Sequence, residues 1–312
     1  MKRIQNKVSE SRRTLPLAIL YSIAIWLLAG LIQEQWWIQF GCFLLSAFLM
    51  VHLNNLNVLI RIYSRIVSVS FIILSSTAVF LFPSISGSII QTCFIASLMT
   101  LYNCYQDRES PGWTFYTFLC LGIASLVDIH ILFFVPVFWL MMIIIVYSFS
   151  WRTFLASFVG LLTPYWLWAA VALWLENGNM GMIIHHFSAL KDFQILGYPP
   201  LSFQQTLLVG FIGILGVTGV IHFLRTSTRD KIRTRQMYYS FIIIGLSAFL
   251  FLTLQPQHYD MLIRIMIIAV SPLIGHFLAL TKTKITNIAF IVISGAVLVI
   301  TAFNLWTSLS PF

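Results

Sequence analysis

The acidic and histidine side chains are few, and they are the groups in this sequence that can carry acid–base chemistry. The 312 residues include nine Asp and Glu and seven His. Glu34 and Asp128 each follow a long apolar segment and are the candidate catalytic residues, since a positioned carboxylate can act as a general base. The candidate substrate-binding residues lie at the same ends of apolar segments: Glu176, His185, His186, His258, Asp260 and Arg264. The alternative is that each group simply marks the end of a helix in water.

Arg264 is the most informative of these residues because it lies inside an apolar segment, four residues after Asp260. A charge within a bilayer is costly and usually faces a partner or a cavity. Residues i and i+4 share one face of a helix, so Arg264 and Asp260 can pair. Two interpretations stay open: an arginine that reaches the outer interface with this partner, or a guanidinium that lines a cavity and holds a phosphate or an anionic headgroup.

No sequence motif for a metal or a soluble cofactor is present. The four cysteines show no CxxC or CxxH spacing, so neither a zinc site nor a redox pair is predicted. Walker, GxSxG, HExxH and dinucleotide-binding patterns are missing as well, which argues against ATP-driven transport by this chain. We therefore predict no metal and no cofactor.

The elements that must position these residues are predicted to be transmembrane helices. The chain is 59% hydrophobic and 9% charged, whereas soluble domains are about 45–50% apolar and about 25% charged. This excludes a soluble, a disordered and a nucleic-acid-binding protein. Because a helix needs roughly 20 apolar residues to cross a bilayer, we predict an all-α polytopic transmembrane bundle of about 11 spans: 15–32, 37–53, 67–84, 86–103, 114–128, 130–149, 153–175, 205–224, 238–255, 261–280 and 286–306. The region 114–149 is either two helices broken at Asp128-Ile129-His130 or one long helix with a re-entrant piece.

The positions of the basic residues predict the orientation. Of the 18 Lys and Arg residues, all but Lys191 and Arg264 fall in segments on one side of the predicted spans. Since cytoplasmic loops are enriched in Lys and Arg, we predict a multi-pass membrane protein with the N-terminus inside and the C-terminus outside. The basic loops then face anionic headgroups, and no nucleic-acid partner is expected.

Residues 1–312 are predicted to form one membrane domain in three parts. Residues 1–175 form a first helical bundle and 205–312 form the C-terminal helices. Between them, 176–204 is an outer segment in which apolar residues at helical spacing alternate with His185, His186, Lys191 and Asp192. It is expected to lie in the outer interface, either as a linker or as a lid over an outward cavity.

Four short stretches resemble a family of polytopic inner-membrane proteins of Bacteroidota that is defined only as a domain of unknown function. They are Leu121–Asp128, Phe134–Pro136, Trp151–Phe154 and Gly160–Trp166. The same stretches are similar, more distantly, to membrane glycosyltransferases of the GT-C type. That resemblance implies a GT-C-like core in residues 1–175. Asp128 stands where those enzymes usually have a lysine, so the resemblance supports the fold more than the activity.

Three functions stay open from the sequence. The first is a non-catalytic subunit in cell-envelope biogenesis, or a degenerate GT-C-like protein, with other envelope proteins and membrane lipid as partners. The second is a glycosyltransferase that uses a polyprenyl-phosphate-linked sugar at the outer face, with Arg264 on the phosphate and Glu34 or Asp128 as the base. The third is a transporter of a small molecule or a lipid.

Overall fold

A computed structural model describes residues 3–175, 181–191 and 201–309 of the chain. The described residues are helical and include no strand. The α-helices are α1 Ile4–Glu10, α2 Thr14–Leu28, α3 Trp37–Asn57, α4 Ile66–Thr77, α5 Ile85–Asn103, α6 Pro111–Val127, α7 Val135–Ile144, α8 Trp151–Leu175, α9 Gly181–Ser188, α10 Phe203–Thr226, α11 Ile232–Leu254, α12 Tyr259–Leu280 and α13 Lys284–Leu309. Short 3-10 turns occupy Val79–Leu81, Ile129–Phe134, Ala189–Lys191, Ser227–Arg229 and Pro256–His258.

Each of the eleven predicted spans overlaps an apolar helix, so the all-helical fold class is confirmed. Among the described residues, seven helices are long and apolar enough to cross a membrane: α3, α5, α8, α10, α11, α12 and α13. Four shorter apolar helices cover the remaining predicted spans: α2, α4, α6 and the stretch Ile129–Ile144 that contains α7. The region 114–149 is two helices, and the break between them lies at Asp128.

Contacts gather the helix termini into two opposite ends of the bundle. At one end, which we call the basic end, Arg3 donates to the carbonyl of Lys282 and Arg61 pairs with Asp230 at 3.6 Å. At the other, the acidic end, Gln39 donates to the carbonyl of Pro83 at 3.0 Å. Helices α2 to α8 and α10 to α13 alternate in direction between these two ends.

Helix α12 is the centre of the molecule. Every residue from Met261 to Ala279 is buried, and α12 packs against α1, α4, α5, α10 and α11. The outer helices show the opposite pattern, because large apolar side chains such as Trp166 on α8 and Val299 on α13 are exposed. An apolar surface of this kind is suited to lipid rather than to water.

Helices α6 and α8 approach each other through two glycines. A Cβ at Gly160 would lie 2.4 Å from the carbonyl oxygen of Phe115, and a Cβ at Gly122 would lie 2.7 Å from that of Leu161. Small residues at such crossings let membrane helices pack backbone to backbone. Gly122 and Gly160 belong to the stretches that carry the family resemblance, so helix packing explains why glycine stands at these two positions.

Candidate functional site

The acidic end carries a polar cluster formed by the break after α6 and the turn before α12. The Oδ1 atom of Asp128 accepts a hydrogen bond from the backbone N of His130 at 3.0 Å, so this carboxylate caps the turn Ile129–Phe134. His258 ends the turn Pro256–His258 and immediately precedes α12. Short acidic side chains favour such turn starts because they accept bonds from the next backbone N–H groups. Asp128, whose carboxylate caps the turn after the break, therefore also faces the imidazoles of His130 and His258.

Asp128, His130 and His258 form this group, which we call the Asp–His cluster. The Nδ1 atom of His130 lies 2.8 Å from Asp128 Oδ1, and Nδ1 of His258 lies 3.8 Å from Asp128 Oδ2. The centroids of the two imidazole rings are 3.8 Å apart. The side-chain amide N of Gln257 lies 2.9 Å from Nε2 of His258. The tautomer of His258 decides which atom of this contact donates.

The carboxylate of Asp128 is held in its ionised form. Burial by itself raises the pKa of the Asp128 carboxyl, but hydrogen bonds from the side chains of His130 and His258 and from the backbone of His130 outweigh burial. They hold this pKa well below its usual value. Asp128 is therefore an anionic acceptor at neutral pH and is available as a metal ligand.

The residues of the Asp–His cluster fit a transition-metal ion. One ligand atom from each of the three side chains lies within 4.8 Å of the others, and imidazole nitrogen with carboxylate oxygen is a ligand set that Zn²⁺ accepts. Three protein ligands leave one position of a tetrahedral site open, whereas structural zinc sites use four. The side-chain N and O of buried Gln255, which directly precedes the turn Pro256–His258, have no hydrogen-bond partner among the described residues.

Helix α9 and the turn that follows it lie beside this cluster. The Nε2 atom of His186 lies 3.0 Å from the carbonyl oxygen of Ser125 near the end of α6. The ring of His186 also contacts those of Tyr165 and Trp168 on α8. The turn Ala189–Lys191 packs against Ile129–Phe134. This part of the predicted outer segment therefore covers the acidic end next to the Asp–His cluster.

Arg264 forms a separate, internal network. Its Nε donates to Asp260 Oδ1 at 3.0 Å and its Nη1 donates to Gln91 Oε1 at 3.2 Å, while Nη2 donates to the carbonyl of Leu81. The second oxygen of Asp260 accepts from Ser84, the residue that caps α5. The guanidinium thus bonds to protein atoms through all three nitrogens, and the predicted Asp260–Arg264 pair is present.

The surroundings of Arg264 leave little space for a ligand. The cavity beside it is only about 10 Å³, which is the size of one water molecule. A Cβ at Gly87 would lie 2.0 Å from Asp260 Oδ2 and 2.6 Å from Arg264 Nε. Helix α5 therefore closes directly over the ion pair, and a phosphate would not fit there without a rearrangement.

Two further predicted site residues are described by the structure and do not belong to the Asp–His cluster. Glu34 is exposed in the turn between α2 and α3, where its Cγ approaches Gly30. His185 is exposed on α9. Glu176 and Asp192 lie outside the described residues. Of the predicted set, the structure brings together Asp128 and His258, adds His130 to them, and places His186 on the neighbouring segment.

A second polar cluster, which the sequence analysis did not identify, lies at the basic end. His276 on α12 is fully buried, and its Nε2 lies 2.9 Å from Asp230 Oδ2. The ring of His222 on α10 is 5.3 Å from that of His276, centroid to centroid. In the described part of the chain, His276 Nδ1, His222 Nε2 and the hydroxyl of Tyr238 have no hydrogen-bond partner. The available signal was two histidines inside otherwise apolar segments.

Comparison with protein-family models, with curated proteins and with solved structures found no match to this chain.

Proposed function

We propose that this chain is a multi-pass inner-membrane protein whose outward end binds a transition-metal ion, with Zn²⁺ as the reference case. The observation that carries the proposal is the convergence of Asp128, His130 and His258 from two separate turns. A carboxylate and two imidazoles from separate turns are thereby held within reach of one ion. The metal would be held by these three side chains.

We further propose eleven crossings, with the N-terminus in the cytoplasm and the C-terminus outside. The four short helices support this count, because each runs between a contact at the basic end and a contact at the acidic end. The chain through α4, for example, begins beside Ser64, which bonds Ser9, and continues to Leu81, which bonds Arg264. In this orientation the basic end faces the cytoplasm and the Asp–His cluster faces outwards.

The cellular role we propose is in envelope biogenesis, as a subunit in which a partner or a substrate occupies the open metal position. The likeness to GT-C enzymes supports this role only through the residue pattern. A transferase that uses a polyprenyl-phosphate-linked sugar needs a cation for the phosphate, and the donors of Arg264 are already taken by Asp260, Gln91 and Leu81. This argues against Arg264 as the residue that would hold the phosphate in such a transferase.

The test is zinc binding by the purified full chain in detergent. We expect one Zn²⁺ per chain by elemental analysis after dialysis, and at least a tenfold weaker affinity in titrations of Asp128→Ala, His130→Ala and His258→Ala, because each loses one of three ligands. The matched control is His185→Ala, which removes an exposed imidazole outside the cluster. Equal zinc content in His185→Ala and in all three cluster variants would contradict the proposal.

A metal-ion transporter is the second candidate, and one observation favours it. Asp–His groups lie at both ends of α12, with His258 immediately before the helix and His276 near its other end. Polar groups buried at membrane depth usually mark an ion or proton pathway. Zinc-dependent quenching of an indicator inside proteoliposomes would support transport if His276→Ala abolished it and His185→Ala did not. If the chain bound zinc but did not transport it, the metal-binding subunit would remain the proposed function.

A further inference from the structure

A crevice in the apolar wall of the bundle opens between α2 and α13. It has a volume of about 350 Å³. Leu17 and Leu298 line its two sides and are 63% and 58% exposed, so it opens to the outside of the bundle. Helix α4 forms its floor with Ile66, Val69 and Ile73, among others.

The crevice is bridged at both ends and opens sideways through the wall of the bundle. Towards the acidic end, Tyr21 on α2 donates to Thr301 on α13 at 3.1 Å, which joins the two walls. Towards the basic end, the Thr14 hydroxyl at the start of α2 donates to the carbonyl of Val8 on α1 at 2.5 Å, and α1 packs against α13. Seven helical steps lead from Thr14 to Tyr21, and at 1.5 Å per residue the crevice runs for about 10 Å along the bundle axis. This shape fits a hydrocarbon chain that enters sideways from the bilayer.

The lining selects an apolar occupant, while the residues at the basic end select a charge. Almost all the lining side chains are hydrocarbon, with Ser70 and Ser294 among the few exceptions, and Ser294 already donates to the carbonyl of Phe290. The segments that flank the crevice at the basic end carry exposed basic residues: Lys7, Arg12, Arg13, Lys282 and Lys284. Basic groups next to a crevice between membrane helices favour anionic lipid headgroups.

We propose that this crevice binds one acyl chain of an anionic phospholipid, whose phosphate lies against Arg12 and Arg13 at the basic end. A lipid tail gains little from transfer between bilayer and protein, because both are apolar. Selectivity therefore comes from the headgroup, through the basic residues near it. The crevice fixes the position of the lipid, and the basic residues select its headgroup.

The experiment is native mass spectrometry of the full chain, purified in detergent and mixed with phosphatidylglycerol and phosphatidylcholine of the same chain length. We expect the wild-type chain to retain phosphatidylglycerol over phosphatidylcholine. Arg12→Gln with Arg13→Gln should lower this preference about thirtyfold. The matched control, Arg108→Gln with Arg152→Gln, removes the same charge from the basic end away from the crevice and should change it little.

A second pair of variants separates the crevice from the charges. Ser294→Trp fills the crevice and should abolish the retained lipid, whereas Val292→Trp adds the same side chain on another face of α13 and should not. Ser294→Leu provides a smaller filling if the tryptophan disturbs folding. The proposal is overturned if the wild-type chain retains both lipids equally, or if filling the crevice leaves retention at the level of Val292→Trp.

Discussion

At the scale of single residues, the buried ion pair shows how a charge is held inside this protein. Arg264 and Asp260 lie one helical turn apart and are satisfied by Gln91, Leu81 and Ser84 from two other elements. The i, i+4 spacing made the pair predictable from the sequence. Its other partners were not predictable, because they depend on how α5 and the turn before it pack against α12.

Removal of one member of this pair should destabilise the chain strongly. Arg264→Gln leaves Asp260 partly buried without its cation, and breaking a buried pair costs about 3 kcal/mol or more. The double variant Asp260→Asn with Arg264→Gln removes both charges and should recover part of that loss. Thermal unfolding in detergent, followed as a double-mutant cycle, measures both effects. A double variant no more stable than Arg264→Gln would show that the pairing contributes little.

Gly87 lies on α5 at a position where we expect an added side chain to destabilise the protein. A Cβ there would meet Asp260 and Arg264 at distances far below contact, so Gly87→Ala must separate the pair or move the helix. We expect a loss of about 1–3 kcal/mol. Gly41→Ala on α3 is the control, because a Cβ at Gly41 has nothing within 4 Å. Similar melting temperatures for the two variants would be evidence against the close approach.

At the scale of helices, a few specific contacts join the apolar helices to one another. The length of the apolar segments predicted where α3, α5 and the long C-terminal helices lie, because the hydropathy of a segment does not depend on which segments pack against it. It did not predict that the break at Asp128 would meet the turn at His258, since the residues of the Asp–His cluster come from segments more than a hundred positions apart. Convergence of this kind depends on packing, which a single sequence does not display.

The α6–α8 crossing gives a prediction at this scale. Gly160→Ala places a methyl group 2.4 Å from the carbonyl oxygen of Phe115, so the helices must separate at a crossing built on backbone contact. Thermal stability in detergent should fall by about 1–3 kcal/mol. Gly295→Ala on α13 should be neutral or slightly stabilising, because its Cβ has open space and alanine favours the helix. Equal stability would mean that α6 and α8 do not pack this closely.

At the scale of the whole molecule, the gathering of basic residues at one end is the feature on which the proposed orientation rests. Basic residues predicted the side of each loop, and the contacts place Arg3, Arg61 and Arg233 together at one end. The sequence analysis predicted this asymmetry because the positive-inside rule uses only the order of the residues. It could not predict which helices lie inside the bundle, because α12 and α13 are similarly apolar, while α12 is buried and α13 faces outwards.

The orientation itself is testable with reporter fusions. Alkaline phosphatase is active only outside the cytoplasm, so its fusion to the C-terminus should be active and its fusion in the turn Ser227–Arg229 should be inactive. A fluorescent protein that folds only in the cytoplasm should give the reverse pattern. An odd number of crossings requires the N-terminus and C-terminus to lie on opposite sides, so a cytoplasmic C-terminus would exclude eleven crossings for a chain that begins inside.

The burial of α12 also has a consequence for how the protein is made. A ribosome releases the chain from its N-terminus, so α4 and α5 are synthesised long before α12. Until then the surfaces of α4 and α5 that α12 covers face lipid or an insertion chaperone. The interior can therefore assemble only once the last quarter of the chain has been synthesised. A nascent protein truncated after α11 would be degraded by membrane proteases rather than form a stable partial bundle.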